Sequence, residues 1–258
     1  MLKEESKFIC SDLLEGMPSI SALLRAIEQE KNDRRIVRIY FDRAKTKKKQ
    51  AELRFLQAKA HQMGFSIELA DEDAIDAMSI GKTHGGIVAE CTARTLPPLS
   101  MEHIKENGVY FILEGVEDPY NFGYAIRSLY AAGIDGLILD ERNWMGAAGV
   151  VARSSAGTSE LIDMYVCKPL EAIRMMKEKS YDVVCAGIRD SESLFEAELK
   201  KPLLVILGGE KRGISRSILD ESDRIIRIDY GNEFGGSLST SAAAAVFAFE
   251  IFRKNREL

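Results

Sequence analysis

From residue 109 onward, apolar strands alternate with helices, and this alternation restricts the possible folds of the chain more than any other feature of its sequence. Strands that are joined in turn by helices are typical of a parallel sheet with helices on both faces. The predicted strands are 109–113, 136–139, 161–166, 181–186, 203–207 and 224–228. The predicted helices are 121–132, near 146–156, 169–178, 214–220 and 237–254. The sequence therefore predicts an α/β fold for this part of the chain.

Two consecutive prolines, Pro97 and Pro98, separate this region from a smaller one. Because proline does not fit inside a helix or a central strand, we predict a linker over residues 96–104. Strand and helix patterns also alternate before the prolines. We therefore predict a smaller α/β domain over residues 1–95 and a parallel-sheet domain over residues 105–258.

The composition excludes several classes of protein. The 258 residues carry a net charge of -5, which argues against binding of a polyanion by bulk charge alone. The four cysteines form no Cys-x-x-Cys pair and the three histidines are far apart, so we predict neither a disulfide framework nor a metal site. No segment resembles a signal peptide or a membrane span of ~20 apolar residues. We expect a cytoplasmic protein with no membrane partner.

The strongest basic cluster is the run RAKTKKK at residues 43–49. Residues 1–98 hold 16 Lys and Arg against 15 Asp and Glu, so the excess negative charge lies in the rest of the chain. A polyanion would therefore meet the first domain more readily than the second. A solvated surface explains the basic run at least as well, and both interpretations stay open.

Three glycine-bearing turns lie at the ends of predicted strands: EDPYNFG (117–123), LGGEKRG (207–213) and YGNEFGGSLSTS (230–241). Ligands of open parallel sheets bind beyond the carboxyl ends of the strands. Three turns that meet there would form a pocket of backbone N–H and C=O groups, which suits a nucleoside. Taken singly, each turn is explained more simply as a tight connection. The fingerprint Gly-x-Gly-x-x-Gly is missing, which argues against a dinucleotide-binding enzyme.

Arg127 lies in a helix of mostly apolar and small residues. An arginine in such a helix either extends to the surface or pairs with an anion. Asn121 is placed to cap this helix, and Glu210 is favoured by the dipole of the helix that follows it. In the C-terminal helix, the four alanines at 242–245 indicate either helix propensity or close packing against a partner element.

Together and in order, the three turns resemble the three motifs of the SpoU/TrmH family, the SPOUT-class RNA 2′-O-ribose methyltransferases. Residues 121–127 resemble N-F-G-x-x-x-R, and residues 207–213 resemble L-G-x-E-x-x-G. The residues from Ser237 onward are similar to S-L-N-V-S-x-A-x-A. The segment H-G-G-I-V-A at 84–89 resembles the end of the RNA substrate-binding domain that is often attached to this family.

This resemblance implies a deep trefoil knot in the parallel-sheet domain and an RNA-binding first domain. It also implies S-adenosylmethionine as the cofactor, RNA as the substrate, by analogy ribosomal RNA, and a homodimer. The cofactor would be held largely by backbone groups. The residues to which the resemblance assigns this role are Leu207, Gly208, Gly209, Ile228, Ser237 and Leu238.

The chemistry that the resemblance implies centres on Arg127. A ribose 2′-hydroxyl is a very weak acid, so its proton must leave while the oxygen attacks the methyl group. Arg127 would orient an RNA phosphate and stabilise the charge that develops on the 2′-oxygen. Asn121 and Glu210 would hold the arginine and the loop, and Ser237 or Ser239 would contact the ribose.

The third motif departs from the family pattern in two ways. Ser239 and Thr240 stand where the family usually has asparagine and valine, and the turn before them is one residue longer. Serine keeps a hydroxyl but lacks the amide's paired donor and acceptor. An RNA-binding relative with impaired catalysis therefore stays open as an alternative. Transfer RNA as the substrate is a second alternative, because the choice of ribosomal RNA rests on an analogy of domain layout.

Overall fold

The computed structural model describes residues 12–81, 83–140 and 147–256. Within these residues the chain forms two compact units. The first contains residues 12–95 and 147–161, and the second contains residues 96–140 and 162–256. The segment 147–161 thus packs with the first unit, although it lies within the sequence range that we predicted for the second domain.

The helices and strands are numbered in chain order. The strands are β1 (Leu13–Glu15), β2 (Ile36–Asp42), β3 (Ser66–Ala70), β4 (Ile87–Cys91), β5 (Val109–Glu114), β6 (Gly136–Leu139), β7 (Met164–Val166), β8 (Asp182–Ala186), β9 (Glu192–Ser193), β10 (Leu203–Gly208) and β11 (Arg224–Arg227). The α-helices are α1 (Gly16–Glu28), α2 (Gln50–Met63), α3 (Glu72–Met78), α4 (Pro119–Ala131), α5 (Ala148–Ser154), α6 (Pro169–Glu178), α7 (Arg216–Glu221) and α8 (Thr240–Asn255). Short 3₁₀ turns cover Arg43–Lys45 and Thr158–Glu160.

The first unit is built on a four-stranded sheet with the order β1-β4-β2-β3. Strand β3 is parallel to β2, and the other pairs are antiparallel. Leu23 of α1, Phe41 of β2 and Leu56 of α2 meet in a fully buried core. Helix α1 buries Ile20, Leu23 and Leu24 at helical spacing.

Buried ion pairs hold the segment 147–161 within the first unit. Arg34 is 1% exposed and its Nε lies 3.3 Å from Oε2 of Glu160, which is 3% exposed. The Asn32 side chain donates to the Glu160 carbonyl at 2.9 Å. Arg153 lies 3.3 Å from the buried carboxylate of Glu15. Removing one partner of such a pair would leave a buried charge uncompensated, so these contacts fix the position of the segment.

The second unit contains a seven-stranded sheet with the order β7-β6-β5-β10-β8-β11-β9. Every strand pair in it is parallel, which confirms the predicted sheet. Tyr110 and Ile112 of β5 pack with α6 and α7 in one core. Phe111 and Leu113 alternate to the opposite face and are buried as well, so both faces are covered. Helices α4 and α8 pack along each other.

Three cysteines in the described part of the chain, Cys91, Cys167 and Cys185, are buried free thiols. Burial raises the pKa of Cys91 to about 12 and that of Cys185 to about 11. These three thiols act as small apolar side chains, and Cys10 lies outside the described residues. In residues 12–81, 83–140 and 147–256 we find no cluster of three or more potential metal ligands. No helix of that part could span a bilayer.

Candidate cofactor and substrate site

The three predicted motif turns meet at one edge of the parallel sheet. Strand β10 pairs with β5 on one side and with β8 on the other, and β8 pairs with β11. Because these strands are parallel, the turns that follow β5, β10 and β11 leave the sheet at its carboxyl edge. A cavity of about 100 Å³ lies between them. Its lining comes from all three motif regions: Gly115, Val116, Glu117, Asp118, Asn121, Glu210, Lys211 and Thr240.

A hydrogen bond joins the first and second motifs across this cavity. The Asn121 side-chain amide donates to Oε1 of Glu210 at 2.9 Å. Our prediction that Asn121 caps its helix is wrong, because α4 begins at Pro119 and Asp118 is its N-cap. The Asp118 carboxylate accepts from the Tyr120 N–H at 3.0 Å. The Asp-Pro pair is a helix-start signal, and its recognition would have placed Asn121 inside the first turn.

Glycine allows the second motif to lie against its neighbours. A Cβ placed on Gly209 would lie 2.2 Å from the Gly115 carbonyl oxygen, and one on Gly208 would lie 2.4 Å from the carbonyl carbon of Gly213. The Gly209 N–H donates to the Glu114 carbonyl at 2.6 Å. Of these four glycines, Gly115 and Gly213 have positive φ angles. The close approach of neighbouring backbone therefore explains why residues 208 and 209 are glycines. Neither of them has a left-handed backbone conformation.

The third motif begins helix α8 and ties it to strand β10. Ser239 is the N-cap of α8, since its Oγ accepts from the Ala242 N–H at 3.2 Å. Thr240 Oγ1 donates to the Gly208 carbonyl at 2.9 Å. Asparagine and serine cap helices about equally well, so serine in place of the family's asparagine preserves this cap. The threonine that replaces valine adds a bond between the second and third motifs, which sequence reasoning missed.

Arg127 lies on the exposed side of α4. The same helix buries Phe122, Ile126 and Leu129 on its other side, so the arginine extends to the surface. It has no hydrogen-bond or ion-pair partner among the residues that the structure describes. Ser237 is exposed as well. The site thus brings Asn121, Glu210 and the two glycines of the second motif together, while Arg127 and Ser237 face solvent.

The segment after β8 is a part of this edge that sequence reasoning missed. Strand β8 lies between β10 and β11, so the segment that begins at Gly187 leaves the sheet between the second and third motif segments. The Gly187 N–H donates to the Ile226 carbonyl at 2.9 Å. No sequence motif marks this position, because it follows from the strand order alone.

A larger cavity of about 660 Å³ lies beside α6 and α7 of the same unit. Its charged lining is mixed, with Glu114, Asp140 and Glu171 against Lys168 and Arg174. The six residues predicted to bind the cofactor line neither this cavity nor the smaller one, whereas Asn121 and Glu210 of the first two motifs line the smaller one. The Glu114 carboxylate accepts from the Ser215 N–H at 3.0 Å and so borders the larger cavity.

The basic run of the first unit divides into a paired and an unpaired part. Lys45 lies 2.8 Å from the Asp42 carboxylate and 3.1 Å from that of Glu72. Although burial alone would raise it, the bond from Lys45 lowers the pKa of Asp42. The three lysines at 47–49 have no acidic partner in the described part of the chain. RNA guidance and a solvated surface both remain consistent with this arrangement.

The sequence matches two family models and several known proteins. Residues 108–249 match the model of the SpoU rRNA Methylase family, and residues 13–97 match the model for RNA 2′-O ribose methyltransferase substrate binding. The chain is 29% identical over 251 residues to a 23S rRNA (guanosine-2′-O-)-methyltransferase RlmB of Shewanella oneidensis, covering 95% of this chain and 98% of that protein. A protein of the same name from Burkholderia sp is 28% identical over 247 residues, which cover 94% of this chain and 96% of that protein.

The fold also resembles a solved structure. The AdoMet-bound rRNA methyltransferase from Sinorhizobium meliloti superposes with a TM-score of 0.75 at 21% identity, covering 93% of this chain and 86% of that one. At this identity the likeness establishes the fold. The first family model spans more than half of the chain and includes all three motifs that meet at the sheet edge. The chain therefore belongs to the SpoU rRNA methylase family.

Proposed function

We propose that the protein is an S-adenosylmethionine-dependent methyltransferase that modifies a ribose 2′-hydroxyl of ribosomal RNA in the cytoplasm. The observation that carries this proposal is the meeting of the three motifs around one cavity, with Asn121 bonded to Glu210. The relatives from Shewanella and Burkholderia are named for guanosine in 23S rRNA, and they match nearly the whole chain. We therefore take a guanosine of 23S rRNA as the first substrate to test.

The residues at the sheet edge fit a cofactor held by backbone groups. Gly208 and Gly209 carry no side chain, which lets the turns after β5 and β10 lie against each other where the cofactor would bind. The residues that would hold S-adenosylmethionine are Leu207, Gly208, Gly209, Ile228, Ser237 and Leu238. When bound, the cofactor supplies an electrophilic methyl group. The trefoil knot that the family resemblance implies is part of this proposal.

The protein's own residues would position the RNA and balance charge. Arg127 is a solvent-facing guanidinium without a partner in the described residues, so it is free to bind a phosphate in a bidentate manner. Arginine stays protonated in proteins, and it therefore stabilises charge that develops on the 2′-oxygen. The Asn121–Glu210 bond joins the start of α4, which carries Arg127, to the second motif. Ser237 remains a candidate ribose contact.

A second copy of the chain is the partner that we propose for α8. The helix buries one face through Ala244, Phe247, Ala248 and Ile251. Phe249 and Phe252 lie outside this face and are 48% and 49% exposed. Two large aromatic rings exposed on one helix indicate a surface that another molecule covers, which supports the homodimer.

We expect replacement of both Phe249 and Phe252 by aspartate to separate the dimer into monomers. Each change places a charge in a surface that would be desolvated in the complex, which is costly for unpaired charges. Light scattering after gel filtration measures the mass directly. Phe195→Asp is the matched control, because Phe195 is 50% exposed and lies outside α8. A wild-type protein that is monomeric at micromolar concentration would contradict the proposal.

The activity itself is tested with S-adenosylmethionine carrying a tritiated methyl group. We expect label to enter an unmodified 23S rRNA transcript, at a ribose 2′-oxygen that mapping by reverse transcription locates. A 16S rRNA transcript and bulk transfer RNA serve as parallel substrates, and preferential labelling of transfer RNA would favour that alternative. Calorimetry compares S-adenosylmethionine with NAD. Binding of NAD alone, or methylation of a base, would contradict the proposed function.

A further inference from the structure

The segment between β11 and α8 carries two exposed aromatic rings that the proposed function does not use. Tyr230 is 42% exposed and Phe234 is 56% exposed. Their ring centroids lie 5.6 Å apart at an interplanar angle of 61°, an edge-to-face arrangement. Such a pair is a favourable contact, so the two rings form one apolar surface in solvent.

The loop holds these rings in place. Tyr230 Oη accepts from the Leu238 N–H at 3.3 Å, which connects the start of the loop to its end. A Cβ placed on Gly236 would lie 2.7 Å from the Phe234 ring, so this ring lies directly on the Gly236 backbone. Contacts within the loop therefore hold the two rings in their exposed positions.

Both ends of the loop are tied to the sheet. At its start, Arg227 Nε donates to the Asp229 carboxylate at 2.7 Å, and Ser193 Oγ donates to the other oxygen of that carboxylate. These two bonds lower the pKa of Asp229, the serine bond more strongly, so the anchor stays charged at neutral pH. At its end, Thr240 binds the Gly208 carbonyl. The loop thus borders the second motif, where the cofactor is proposed to lie.

The chemistry of the loop suits a base and not a phosphate. Residues 228–241 contain no lysine or arginine, and they carry the acidic side chains Asp229 and Glu233. Electrostatic attraction to the RNA backbone is therefore absent from this segment. Unstacked bases of RNA stack on the faces of aromatic rings. A base tolerates a nearby negative charge better than a phosphate does, because the phosphate is itself an anion.

Resting on the proposed function, we infer that Tyr230 and Phe234 form a stacking surface for an unpaired RNA base next to the methylated nucleotide. A 2′-hydroxyl inside a regular helix is hard to bring to a recessed cofactor, so the target must lie in a loop, bulge or end. A ring that holds the neighbouring base would keep the target nucleotide at the site.

The test compares Phe234→Ala and Tyr230→Ala with wild type. Stacking is worth about 5- to 150-fold in affinity per base, so we expect each variant to raise KM for the 23S rRNA transcript within that range. For Phe234→Ala, the value of kcat at saturating RNA, the Kd of S-adenosylmethionine and the mass in solution should be unchanged. Tyr230→Ala also removes the hydroxyl that accepts from the Leu238 N–H, so cofactor affinity is compared for Phe234→Ala. Phe234→Trp should restore KM, because tryptophan keeps a stacking face. Phe195→Ala, a change of an equally exposed ring, should leave KM at the wild-type value.

Several outcomes would overturn the inference while leaving the proposed function intact. If Phe234→Ala weakens cofactor binding as much as it raises KM, the ring covers the cofactor. If it lowers the mass in solution, the ring belongs to an interface between copies. If wild type methylates rRNA and both alanine variants match it, the rings contact no base. A wild-type protein that transfers no methyl group to any RNA is a different result, because it contradicts the proposed function itself.

Discussion

Replacing Arg127 with alanine is expected to lower kcat for RNA methylation by about 10²- to 10³-fold, the usual loss when one donor to a developing oxyanion is removed. The guanidinium is exposed on α4 and has no partner among the described residues, so its loss breaks no contact of the fold. Stability should therefore change by less than about 0.5 kcal/mol. Single-turnover methyl transfer to the 23S rRNA transcript and thermal unfolding measure the two effects.

Arg174→Ala is the matched control for this prediction. Arg174 is also an exposed helical arginine of the second unit, and it too lacks a partner in the described part of the chain. Its removal changes the net charge equally and should leave kcat unaltered. Arg127→Lys should recover only part of the rate, because lysine keeps the charge but not the planar fork. Undiminished methylation by Arg127→Ala would reject the role that we assign to this residue.

The sequence was sufficient to predict the α/β alternation and the parallel sheet, because apolar runs and helical spacing are local signals. Local signals did not predict the position of the segment 147–161. Its helix is predicted, but its place within the first unit depends on the contact of Glu160 with Arg34 and of Arg153 with Glu15. These partners lie more than 100 positions apart, and no periodicity connects them. Long-range ion pairs of this kind become visible only in three dimensions.

The candidate site shows the same division between local and long-range information. The motif residues Asn121 and Glu210 were identified from the sequence, but their hydrogen bond required the strand order β5-β10. Ser239 shows the reverse case. It raised the alternative of an impaired enzyme, yet the structure places its hydroxyl on the Ala242 N–H as a helix cap. Since asparagine would cap equally well, this substitution leaves the start of α8 unchanged.

The other large effect is expected at the second motif, where Gly209→Ala should weaken S-adenosylmethionine binding by about 100-fold or more. The added methyl group would lie 2.2 Å from the Gly115 carbonyl oxygen and 2.6 Å from its carbon. These are backbone atoms, so no side-chain rotation can relieve the contact. The turns after β5 and β10 must therefore separate, which opens the Gly209–Glu114 hydrogen bond of 2.6 Å. Calorimetry with S-adenosylmethionine measures the loss.

The chain contains a matched control for this change. Gly231 lies in the turn before α8 and does not need a positive φ, and a methyl group added to it would meet no described atom within 4 Å. Gly231→Ala should thus bind the cofactor like wild type and unfold at the same temperature. Gly209→Ala should unfold at a lower temperature, because the strain is present without ligand. Wild-type affinity for the cofactor in Gly209→Ala would show that the two turns can move apart without cost to binding. The cofactor would then be held elsewhere, and the cavity beside Lys168 and Arg174 is the next place to test.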